Sequence, residues 1–250
     1  MNTPAVPELS EKERPPQVHR RRYRWGRNAV SHATTAVLLG AFLLDIPRIN
    51  ILEHTPRNLY FHVPMWFTMM AAFVVAAYHA GGFLRSGRLA RDTRAFEAAR
   101  VGTLFGLVGL VTGMVWARFT WYRGTGLWWN FDPKQTMAAV QLLIFGAYFV
   151  LRSALEGQPE KRGRISGVYL LFAVAVMPFL LYVLPRQMES LHPGAEGNPA
   201  FSEITAPIMR VVFYPSVIGF IGLFLVLYTQ RVRAAALEMR ARLRDSAFRG

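Results

Sequence analysis

The chain has 250 residues, 52% of them hydrophobic, a formal net charge of +14 and no cysteine. Lacking cysteine, it can build no disulfide, thiolate metal site or thiol nucleophile. The positive charge would point to nucleic acid if it formed a patch on a soluble domain, so its placement along the chain decides what it means.

Residues 1–27 open with "MNTPAVPELSEKERPPQ", a polar, proline-bearing stretch with no apolar core. It does not read as a secretory signal but as a disordered basic tail. Six stretches without Asp, Glu, Lys or Arg follow: 28–44, 58–84, 101–117, 135–151, 165–185 and 211–230, of 17, 27, 17, 17, 21 and 20 residues. A helix rising about 1.5 Å per residue crosses about 30 Å of hydrocarbon with roughly 17 to 25 such residues. Helix is preferred because an isolated strand cannot satisfy its backbone in lipid. The expected fold is an all-α integral membrane protein with six transmembrane helices in a domain spanning 28–230. The remaining stretch, 231–250, contains "RVRAAALEMRARLRDSAF", with helical periodicity and a basic face. It either continues the sixth helix, lies on anionic lipid or forms a solvated tail.

Charge sets the orientation. Seven Lys and Arg precede the first span, four lie in the second connection with Arg100 at the inner start of the third span, four in the fourth connection and six in the C-terminal tail. The opposite side carries seven: Arg48, Arg57, Arg118, Arg123, Lys134, Arg186 and Arg210. This is the positive-inside bias, so both termini are expected in the cytoplasm. The outer loops are then 45–57, 118–134 and 186–210. Lipid, not nucleic acid, accounts for the basic charge.

The six runs themselves hold no acid or strong base, whereas a proton pump or ion-coupled transporter usually needs a carboxylate near mid-membrane. There is no G-x-x-x-x-G-K-[ST], H-E-x-x-H or G-x-S-x-G, and no internal repeat of the transporter kind. Chemistry is therefore expected at the outer surface or on a bound cofactor.

The middle outer loop, between the third and fourth helices, contains "RGTGLWWNFDPKQT". Trp116, Trp121, Trp128 and Trp129 fall close together, with Phe119, Tyr122 and Phe131. An interfacial aromatic belt is one reading, most natural for Trp116 and Trp121 at the end of the third span. Trp128 and Trp129 follow two glycines and precede Asp132-Pro133, which reads as an N-cap with proline at the first helical position. That leaves two indoles on a short ledge. His62 lies near the outer edge of the second span, with Pro64 in the expected first turn. His192 lies in "SLHPG", a turn of the third outer loop. Two imidazoles bracketing an aromatic shelf suit haem, with arginines for the propionates. Hydrogen-bonded interfacial histidines are the alternative. His54 is an external reserve, His19 is in the tail, and His32 and His79 lie toward the inner side as packing residues or an inner entry site.

Three motifs in this order resemble the CcmC family of haem-handling membrane proteins. Trp128, Trp129, Asp132 and Thr136 match its tryptophan-rich WWD signature. "RNLYFHVP" is similar to R-I-x-Y-x-H-V-P through Arg57, Tyr60, His62, Val63 and Pro64. "LHPG" is similar to L-H-x-G through Leu191, His192 and Gly194. Where CcmC usually reads W-D-A-R-L-T this chain reads "FDPKQT", with Phe131 in place of a tryptophan and an Asp-Pro-Lys closer to the CcsA and CcmF branches of the same superfamily.

The resemblance implies a multi-pass protein of the bacterial inner membrane that binds haem b at its periplasmic face. It would act as a binding and transfer component of cytochrome c maturation, not an enzyme. His62 and His192 would be the two iron ligands. Trp121, Trp128 and Trp129 would form the platform, with Asp132 fixing the loop and Arg57, Arg123 or Arg186 meeting the propionates. The implied partners are the haem chaperone CcmE, the CcmA/CcmB ABC transporter and the small membrane protein CcmD. A CcsA-like component of a haem synthase, and a membrane protein whose tryptophans are only a belt, remain the alternatives.

Overall fold

The computed structural model describes residues 10–12, 14, 27–44 in part, 55–121, 126–129, 131–192 and 207–249. Every described residue from 27 to 43 is helical, within the first expected span. A 3₁₀ turn, Thr55–Asn58, leads into α1, Leu59–Ser86. Then come α2, Leu89–Phe119, and α3, Pro133–Ala154. A fourth helix, α4, runs over Pro159–Arg186, and α5 over Pro207–Arg249. Five helices among the described residues are long and apolar enough to cross a membrane. No strand occurs among the described residues, so the chain is an integral membrane protein of packed helices. The disorder expected of 1–27 falls almost wholly outside the described residues, as do His19 and His54.

Two connections are short and lie at one end of the bundle. Gly87, in the left-handed conformation at φ 66°, donates its N–H to the Phe83 carbonyl and turns the chain from α1 to α2. Leu155 to Gln158 does the same between α3 and α4. The described residues Thr55, Trp121, Asp132 and His192 lie at the opposite end.

Hydrocarbon gives helices no hydrophobic reason to associate, so close packing through small residues replaces it. Along α2 the glycines 102, 106, 109 and 113 meet Phe73, Met69, Trp66 and His62 of α1 in antiparallel register. A Cβ on Gly106 would stand 2.6 Å from the Met69 sulfur, and one on Gly102 would stand 2.8 Å from the Ala72 Cβ. Among the described helices the most extensive contact is accordingly α1 on α2. Deeper in the bundle the Phe73 and Phe145 rings stack with centroids 3.4 Å apart. Fully buried Met69, Ala72, Ala76, Ala98, Ala99, Leu170 and Ala173 fill the space around them.

The helices run further than the uncharged runs, and the extra turns carry charge. Asp92 and Glu97 of α2 are buried near the short-turn end. A buried carboxylate needs partners, and both have them. Arg152 grips Asp92 with two bonds of 2.6 and 2.8 Å while donating to the Ser166 hydroxyl at 2.8 Å. The Arg231 Nε of α5 donates to Glu97 at 3.0 Å, which fixes the basic part of α5 beside that same end. The C-terminal stretch is thus a continuation of the last span as helix, through Arg249.

Two helix details differ from expectation. Pro64 stands in the second turn of α1, not the first, because the 3₁₀ turn starts the helical path earlier. In α4 the backbone relaxes into a π turn over Phe179–Val183, between Pro178 and Pro185. Prolines remove helical donors, and the π turn resets the register just before the chain leaves α4 toward His192.

Candidate functional site

The first wall of the site is the start of α1 against the end of α2. His62 is 8% exposed. Its Nδ1 lies 2.9 Å from the Gly109 carbonyl and 3.2 Å from the Thr112 hydroxyl. A carbonyl only accepts, so Nδ1 carries the hydrogen and Nε2 keeps the lone pair. The Trp66 and Trp116 rings meet the imidazole edge-on, at centroid distances of 6.2 and 5.8 Å. Gly113 supplies the space, since a Cβ there would stand 2.6 Å from the His62 Cε1. The 3₁₀ turn braces this wall: Trp116 Nε1 donates to the Thr55 hydroxyl at 2.9 Å, and Asn58 donates to the Thr112 carbonyl at 3.2 Å. Trp116 therefore packs inward against His62, a role its place near the end of the third span did not suggest.

The second wall is built around Asp132. It forms the expected cap of α3, accepting from the Lys134 and Gln135 N–H groups with Pro133 at the first helical position. The same carboxylate does more. It accepts from His192 Nδ1 at 2.8 Å, from the Leu191 N–H at 2.8 Å and from the Ser190 hydroxyl at 3.0 Å. The Ser190 oxygen in turn accepts the His192 N–H at 3.1 Å. Burial alone would raise the Asp132 carboxyl; the hydrogen bond from His192, with the Leu191 and Ser190 donors, holds it well below the usual carboxylate range. With Nδ1 donating, the neutral form of His192, like that of His62, carries its lone pair on Nε2. Its ring meets Trp121 edge-on at 4.6 Å between centroids.

The two walls stand at the same end of the bundle. Trp116 and Trp121 both lie at the outgoing end of α2, one against each imidazole.

The remaining candidates are placed less centrally. Trp128 is 49% exposed, with the Arg118 guanidinium 5.9 Å from its ring centre. Trp129 is half-buried. Among the described residues, neither makes a ring contact with His62 or His192. Arg57 donates through Nη1 to the Ala41 carbonyl at 2.5 Å, tying the loop end of α1 to the first helical segment. Arg186 sits over the Tyr182 ring at 6.0 Å. Arg123 lies outside the described residues. His32 and His79 share no ring contact among the described residues; His79 packs by Tyr78 and Tyr228.

Several contributors were not evident in the sequence. Ser190, Thr112, Gly109 and Gly113 hold the imidazoles, and Arg118 holds an indole. Phe131, next to the cap, is 78% exposed and is the one non-glycine residue with positive φ, at 63°, among the described residues. With Leu127, Trp128, Met188 and Leu191 it gives this end of the bundle an exposed apolar rim.

The sequence profile of a family described as heme exporter protein C, CcmC, matches residues 8–247. Heme exporter protein C of Paracoccus denitrificans is 27% identical over 198 residues, covering 75% of each chain. Heme exporter protein C of Escherichia coli (strain K12) is 29% identical over 189 residues, 74% of this chain and 72% of that one. A shorter similarity, 33% over 92 residues, is to the cytochrome c biogenesis protein CcsA of Synechococcus sp. (strain WH7803), covering 37% of this chain and 27% of that one. The profile match runs nearly end to end and agrees with the motifs around Trp128, His62 and His192: the chain belongs to the CcmC family.

Proposed function

We propose that this protein receives haem b at the outer face of the bacterial inner membrane and presents it to a CcmE-like chaperone for cytochrome c maturation. His62 and His192 ligate the iron, one from each side, and Trp121, Trp128 and Trp129 carry the macrocycle. The observation that carries this reading is the state of the two imidazoles. Each Nδ1–H is spent on an acceptor, Gly109 O for His62 and Asp132 for His192. In the neutral tautomer that these bonds select, Nε2 is the nitrogen with the lone pair that binds iron. Two such nitrogens on one aromatic-lined face form the donor set of a six-coordinate haem.

The remaining assignments follow from that reading. Arg57 and Arg186 stand at the same end and supply positive charge for the propionates, as would Arg123. The exposed rim of Leu127, Trp128 and Phe131 leaves one haem edge open to a second protein. An ABC transporter of CcmA and CcmB with a CcmD-like small protein would complete the assembly in the membrane. The positive-inside bias supports a periplasmic position for the histidine end.

The test is the absorption spectrum of purified full-length protein beside His62→Ala, His192→Ala and His79→Ala. The two outer variants should lose haem or its two-histidine spectrum, and His79→Ala should keep both. Unchanged spectra in both outer variants would overturn the assignment. The similarity to CcsA and the Asp-Pro-Lys sequence favour a second reading, a haem synthase component. Co-purification with apocytochrome c in place of the chaperone would select it.

A further inference from the structure

The two imidazoles are held by acceptors of unequal charge. His62 Nδ1–H donates to the neutral Gly109 carbonyl, whereas His192 Nδ1–H donates to the Asp132 carboxylate. An imidazole that donates to a carboxylate becomes more basic at its other nitrogen than one that donates to a carbonyl. Asp132 is 4% exposed, so water does little to screen that effect. The carboxylate is itself moderated. Ser190 donates to both of its oxygens, at 3.2 and 3.0 Å, and Leu191 N–H to one, at 2.8 Å. Each donor draws negative charge away from the contact with His192.

We infer that Asp132 is a positioning residue that makes His192 the stronger of two unequal haem ligands, and that Ser190 sets how much stronger. This rests on the haem-ligand reading above. Its consequence is a cargo biased toward the ferric state, because the more basic imidazole favours the more highly charged iron. Asp132 thus has two jobs through one side chain. It caps α3, which fixes where the tryptophan loop ends, and it fixes the tautomer and donor strength of a histidine 60 residues further along the chain.

The experiment is a potentiometric titration of the haem-loaded full-length protein, followed by absorption, for wild type, Asp132→Asn and Ser190→Ala. Asparagine caps a helix about as well as aspartate, and its oxygen still accepts from Nδ1–H. Asp132→Asn should therefore keep the two-histidine spectrum and raise the midpoint potential. Losses at such partners typically run about 10- to 100-fold, and a tenfold loss of ferric preference is about 59 mV for one electron. Ser190→Ala removes a donor from the carboxylate, leaves it more basic, and should lower the midpoint. Opposite signs mark electronic control, since a loosened loop would move both variants the same way. An unchanged midpoint in Asp132→Asn with its spectrum retained, or shifts of one sign in both variants, overturns the inference. If Asp132→Asn fails to hold haem, Ser190→Ala decides alone: a fall supports the inference and no change or a rise overturns it. Absence of a two-histidine spectrum in wild type would instead sink the ligand assignment, and this inference with it.

Discussion

Gly113 and His62 occupy one shared space: a Cβ on the glycine would stand 2.6 Å from the imidazole Cε1 and 3.3 Å from Nδ1. The ring cannot retreat, because Trp66 and Trp116 flank it and the Gly109 carbonyl holds its Nδ1. Gly113→Ala should therefore tilt the imidazole while α2 itself gains up to about 1 kcal/mol of helix propensity. The expected result is a protein that inserts and melts normally but loses most of its haem. Gly81→Ala is the control, since nothing lies within 4 Å of its Cβ position. It should leave the haem spectrum untouched. Equal haem retention in both variants would show that the close contact does not matter.

Much of this arrangement was readable before any coordinates. Charge-free runs of about bilayer length mark helices because lipid offers the backbone no partner. Asp132-Pro133 announced a cap because those two residue types solve the orphan-donor problem at a helix start. What stayed hidden were contacts between distant segments. No local pattern says that the Asp132 carboxylate would also take His192, because the chain between them folds down α3 and back up α4. The buried Asp92–Arg152 pair was hidden for the same reason. The glycine spacing 102, 106, 109, 113 was visible, and its small-residue periodicity is a packing signal. Its complement on α1, however, emerges only once the two helices are set antiparallel.

Arg152 and Asp92 make two bonds between them in a nearly dry setting, their side chains 8% and 5% exposed. Removing one partner of such a pair leaves a buried charge and typically costs about 3–5 kcal/mol. Arg152→Met alone should lower the melting temperature in detergent sharply, as should Asp92→Leu alone. The double substitution should recover most of the loss, because well-packed apolar residues replace a buried pair at little cost. Haem binding of the double variant should be near wild type, since the pair lies at the opposite end of the bundle from His62. A double variant no more stable than either single one would contradict this.

Arg118 lies over the exposed Trp128 ring at 5.9 Å. A cation above an indole at an exposed site contributes about 0.5–1 kcal/mol, too little to affect folding of the bundle. It is enough to bias where an exposed ring rests. Arg118→Ala should leave thermal stability within about 0.5 kcal/mol of wild type and weaken haem retention in parallel with Trp128→Ala. The double variant should be no worse than Trp128→Ala alone. Additive losses would mean that Arg118 acts on the haem by some route other than the indole.

Phe131 holds a backbone conformation at φ 63° that costs a non-glycine residue roughly 1–2 kcal/mol. Its ring, 78% exposed, regains little of that by packing. A strained, solvent-facing aromatic beside a functional cap suggests a ring retained for what it will touch, not for what it now touches. Phe131→Gly removes the strain but gives the unfolded chain more freedom to lose, about 0.4–1 kcal/mol. The net change in stability should therefore be small and on the favourable side. Phe131→Asn keeps a side chain that tolerates this conformation and likewise removes the ring. Both variants should fold and insert at least as well as wild type and should hand haem to the chaperone less efficiently. If either one transfers haem at the wild-type rate, the ring is dispensable and the strain at this position is only a by-product of ending the loop on a proline-started helix.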